Sequence, residues 1–199
     1  MKSNVCRIDK TTKDLEAVLK EGEKVAVYNE LTHKQSLQLR LICEEIDGML
    51  PNIINDYEGD FWIEFEKGVC KVHMSIEFSE FTVEKKKELI NIAKDKKNAA
   101  ITGIASKIRS AVENFFLDDE TMRGYAMSSE AFRMATGYAD DINYSYYWSL
   151  EQYRNEVKNA QKAEDWDELE KSVIASVADD IVVGVKGKHA DIIITKNFA

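Results

Sequence analysis

The chain has 199 residues, 44% of them hydrophobic and 32% charged, with a formal net charge of −9 and a pI near 5.0. That length and composition fit one globular domain, and the acidic balance argues against nucleic-acid or anionic-membrane binding, which need a positive surface. No apolar run approaches the roughly 20 residues that span a bilayer, and the opening MKSNVCRIDK lacks the apolar core of a signal peptide, so a cytoplasmic protein is expected.

In chain order, Val5 to Ile8 reads as a short strand. Thr11 and Asp14 then open a helix to about Asn29, with Leu15, Val18 and Leu19 on one face and Val25 and Ala26 continuing it. Thr32 and Gln35 have capping-box spacing, which satisfies two otherwise unpaired backbone donors at a helix start. Leu39, Ile42, Ile46, Leu50 and Ile53 follow at helical spacing as a buried stripe, and Pro51, lacking a backbone donor, should kink or end that helix. GDFWIEFEKGVCKVHMSIEF reads as two strands turning at Lys67-Gly68.

Thr82 can cap a helix to Lys97, and AAITGIASKIRSAVENFF, residues 99–116, gives another, with Ile104, Ile108, Val112 and Phe115 aligned. Residues 117–163 are rich in aromatic, acidic and polar residues. Within them Tyr146, Leu150, Tyr153 and Val157 have helical spacing, so the segment is expected to be a helical insertion in a single domain covering 1–199. A helix from about Asp165 to Val177 leads into a last hairpin, DDIVVGVKGKHADIIITK, turning at Gly187-Lys188. The predicted fold is α/β in the broad sense, a two-layer α+β sandwich. A mixed, mainly antiparallel sheet carries helices on one face, with Leu39, Ile42, Ile46 and Leu50 turned towards it.

The candidate chemistry is sparse. Cys6, Cys43 and Cys70 are an odd set that fits free thiols in a reducing compartment. Cys70 and His73 lie three apart in a predicted strand and point to opposite faces, so they cannot share a metal; no metal site is expected. Lys85, Lys86 and Lys87 with Lys94, Lys96 and Lys97 form either a solvated helix face or a docking point for phosphate or an acidic partner. Tyr144, Tyr146, Tyr147 and Trp148 are either interface anchors or intramolecular core. Glu44, Glu45 and Asp47 ring the solvated side of a core helix, unless Glu45 is a catalytic base.

LTHKQSLQLRLICEEIDGML, with its doubled acid, resembles the N-box helix of the GHKL (Bergerat-fold) ATP-binding superfamily, and IVVGVKGKHADIIITK resembles that superfamily's closing hairpin. The element order is most similar to the anti-sigma-factor serine kinases and their histidine-kinase-like relatives. The resemblance covers about residues 3–116 and 165–197 and implies that fold, with ATP and magnesium as cofactors. It makes Glu45 the candidate base that polarises a nucleophile or water. Gly103 and Lys107, in TGIASKIR, become candidate nucleotide-binding residues at a phosphate-holding helix start; the alternative is Gly103 as a core-packing residue and Lys107, like Arg109, as a surface charge.

Two family signatures are altered. The metal-ligating asparagine expected four residues after Glu45 is Met49, whose thioether is a poor ligand for magnesium, and Asn52 lies a turn further on. The adenine-reading aspartate and its glycines are missing from VCKVHMSIEFSEF; Glu77 alternates to the face opposite Val72, Met74, Ile76 and Phe78. The expected protein is therefore a regulatory, protein-binding relative in which ATP and magnesium binding is weak or absent. Its partner is another protein, a second copy of the chain being one candidate. The alternative is an active serine kinase or ATPase with altered anchors.

Overall fold

The computed structural model describes residues 1–9, 15–53, 56–78, 108, 137, 146–160 and 172–199, with backbone alone at 47, 50–53, 78, 146 and 160. Among the described residues, six strands form one sheet: β1 (Cys6–Asp9), β2 (Tyr57–Glu66), β3 (Val69–Phe78), β4 (Tyr146–Ser149), β5 (Asp180–Lys186) and β6 (His189–Asn197). Their spatial order is β1-β2-β3-β6-β5-β4, and every described pairing is antiparallel. The described helices are α1 (Leu15–Tyr28), α2 (His33–Ile53), α3 (Leu150–Ala160) and α4 (Val173–Val177). The result is an α+β fold.

Local chemistry accounts for most of the boundaries. At the start of α2 the Thr32 backbone N–H donates to Gln35 Oε1 at 2.8 Å and the Gln35 N–H donates to Thr32 Oγ1 at 3.4 Å, the reciprocal capping box that the spacing predicts. Lys67 and Gly68 turn the β2–β3 hairpin with φ of 51° and 83°. Two consecutive left-handed residues give a turn whose twist matches that of the strands. The β5–β6 hairpin turns at Gly187, φ 57°, with Lys186 opposite His189. Pro51 does not end α2, which continues to Ile53. In the last turn a missing N–H breaks only one bond of the ladder.

Strand alternation then builds the main core of the described residues. Phe61, Ile63, Cys70, Val72, Met74, Ile76, Ile181, Val183, Ile192 and Ile194 turn to one face of the sheet and are buried with Val18 and Val25 of α1, Leu39, Ile42, Cys43 and Ile46 of α2, Leu150 and Tyr153 of α3 and Ile174 of α4. Leu39, Ile42 and Ile46 thus belong to the core beneath the helical layer, as their periodicity predicts. Ile108, a helical residue, is also fully buried in that core. Gly59 sits on this inner face of β2, where a Cβ would lie 2.3 Å from the Ser75 carbonyl oxygen, so only glycine lets β2 and β3 keep their spacing.

Tyr146 does not continue the helical stripe of Leu150, Tyr153 and Val157; it opens β4, which pairs with β5 from Tyr146 opposite Val185 to Ser149 opposite Val182. The helix begins at Leu150, where Ser149 Oγ accepts from the Gln152 N–H. Residues 146–160 therefore supply the outermost of the described strands, beside β5, and a core helix. Arg154 of α3 locks the arrangement: its guanidinium donates to the carbonyls of Asp179 at 2.8 Å, Ala178 at 3.3 Å and Ala175, tying α3 to the end of α4 and the entry to β5. The helices expected over 82–97 and 99–116 fall outside the described residues, apart from Ile108. Of the helix expected from about Asp165 to Val177, residues 165–171 fall outside them, and Ser172, extended at φ −80° and ψ 115°, caps a helix that begins only at Val173.

Candidate functional site

On α2 the doubled acid separates into two environments. Arg40, one turn earlier, donates from Nε to Glu44 Oε1 at 2.8 Å and from a terminal nitrogen to Glu23 of α1 at 3.3 Å. Glu44 therefore belongs to a surface ion network that joins the two helices, of a kind that contributes only tenths of a kcal/mol. Glu45 is half-buried. Met49, one turn further along, is only 5% exposed and belongs to the hydrophobic core. Four residues from Glu45 the helix thus presents an apolar group to the interior, and a thioether cannot replace an oxygen ligand for a hard cation. Asn52 has no described side chain.

At the far end of β3 the second altered signature has the geometry expected of alternation. Ile76 is fully buried on the inner face, whereas Glu77 is exposed on the other, opposite Glu58 and His189. The carboxylate does not share a face with the core positions beside α2. Gly103 and Lys107 lie outside the described residues. Cys70 and His73 do point to opposite faces, Cys70 into the core and His73 outwards. Burial raises both core thiols: Cys70 is pushed up to about 12, and Cys43 is raised further, with the neighbouring Cys70 adding to the effect. Neither is a thiolate near neutrality. Among the described residues no group of three or more His, Cys, Asp or Glu is arranged to hold a metal ion.

The outer face of the sheet holds polar groups that strand alternation alone did not reveal. His73 is 1% exposed and stacks on Trp62, its cross-strand partner, with centroids 4.8 Å apart and planes 2° from parallel. Lys2 lies over the same indole at 4.6 Å. Glu64 accepts from Trp62 Nε1 at 3.0 Å and lies 3.4 Å from Lys2 and 3.6 Å from His73 Nε2. Burial pushes the His73 imidazole down to about 4, against the attraction of Glu64. Lys2 and Glu64 also line a groove of about 670 Å³ at the hairpin tip, together with Met1, Phe65, Glu66, Lys67, Val69 and Lys71. Within it Lys2 pairs with Glu64 and Lys67 with Glu66.

A second outer-face group joins Ser75, His189 and Asp191. Ser75 Oγ is 3.2 Å and Asp191 Oδ2 3.1 Å from the same nitrogen, His189 Nε2. A serine nucleophile needs that nitrogen free to accept its proton while the carboxylate holds the other one. Here the carboxylate requires a proton on Nε2, so His189 acts as a donor to Asp191. That hydrogen bond raises its pKa, against partial burial. The set is an electrostatic clamp between β3 and β6, not a relay. The i, i+2 spacing of His189 and Asp191 on one strand was the available sequence signal; Ser75 joins them only through register.

The aromatic segment divides likewise. Tyr147 is 7% exposed and packs with Val182 and Ile193 on the outer face, while Trp148 turns to the core and meets Tyr153 at 6.2 Å. These two rings therefore serve the fold, the intramolecular alternative of the sequence reading. Large exposed apolar groups occur instead on the helical layer, at Val27 and Tyr28 of α1 and Leu37 and Leu41 of α2. No described helix is long and apolar enough to cross a membrane. No protein-family model, curated protein or solved structure matches this chain significantly.

Proposed function

We propose that this chain is a cytoplasmic, regulatory, protein-binding module on a degenerate GHKL-type scaffold, akin to the anti-sigma-factor kinases, in which magnesium-dependent ATP chemistry is weak or absent. The observation that carries this reading is the burial of Met49 in the core one turn beyond Glu45, the position from which a GHKL enzyme would offer magnesium an oxygen ligand. Ile76 in the core and Glu77 on the opposite face support it from the adenine side. Loss of a charge-assisted hydrogen bond to the base weakens binding by about 1.5–3 kcal/mol, roughly ten- to a hundredfold. Loss of a metal ligand removes the clamp on the phosphates, which matters more for phosphoryl transfer than for binding. The exposed apolar groups of α1 and α2 are consistent with a surface that meets another protein.

The test is titration calorimetry of the intact chain with ATP, with and without magnesium, repeated on Glu45→Ala. Binding should be feeble, indifferent to magnesium and unchanged by the substitution. Tight magnesium-dependent binding, or phosphoryl transfer that disappears in Glu45→Ala, would restore the serine kinase or ATPase reading.

A further inference from the structure

We draw no further inference here: the strongest candidate, the exposed apolar stripe of Leu37 and Leu41 on α2, carries nothing because nothing in the structure shows what covers it.

Discussion

Burial on the outer face of β3 makes His73 reluctant to take a proton, and this has a consequence for stability. Its folded pKa of about 4 lies below the ordinary 6.5. The unfolded chain therefore binds a proton near pH 6.5 that the folded chain refuses until about pH 4. Stability is intact above 6.5 and is lost as pH falls through that window, by up to about 1.4 kcal/mol per pH unit. The urea midpoint should drop between pH 6.5 and 4 in the unmodified protein and drop less in His73→Phe; equal slopes would assign the loss to other groups. His189 works in the opposite sense, because its pKa is raised and its contribution fades as pH rises through the folded value. At Met49 the relevant force is desolvation. Met49→Asn should lower the unfolding free energy by about 2 kcal/mol, since the amide would leave water for a site only 5% exposed. Denaturation at or near the unmodified midpoint would show that this position is wetter than its burial indicates.

Individual elements owe their limits to short-range chemistry, which is why so many were legible. Thr32→Ala removes the acceptor for the Gln35 N–H and should cost about 1 kcal/mol by chemical denaturation, with Thr32→Ser restoring most of it. Gly59→Ala places a methyl group 2.3 Å from the Ser75 carbonyl oxygen, where backbone must move. A loss of about 3 kcal/mol is expected, and a near-neutral result would mean that the β2–β3 pair has slack. The capping box, the Lys67-Gly68 turn and the Leu39–Ile42–Ile46 stripe could be read directly because each is a pattern within a few residues. β4 could not. Tyr146 and Leu150 are four apart, which satisfies helical spacing, but pairing with β5 decides for extended backbone up to Ser149. That pairing is with a segment more than thirty residues away, and local periodicity contains no information about it.

At the scale of the whole molecule, the larger hydrophobic core links the four described helices to the inner face of the described six-stranded sheet. Tyr153 of α3 lies in that core at 9% exposure, so Tyr153→Ala should cost about 3 kcal/mol of stability, measured by urea or thermal unfolding. An unchanged midpoint would detach α3 from the core. By itself the sequence determined the α+β class, the two hairpins with their turns, the helical stripe of α2 and the division of Cys70 from His73 between faces. These follow from periods of 2 and 3.6 residues and from the backbone preferences of single residues. Tertiary structure alone decided the strand order, the recruitment of residues 146–149 as a strand beside β5 and the packing of Met49 into the core. It also decided the meeting of Ser75 with His189 and Asp191, and of Trp62 with His73, Lys2 and Glu64. The physical reason is register: cross-strand neighbours are set by how apolar faces of distant segments bury together, and that is a property of the assembled core, not of any one stretch of chain.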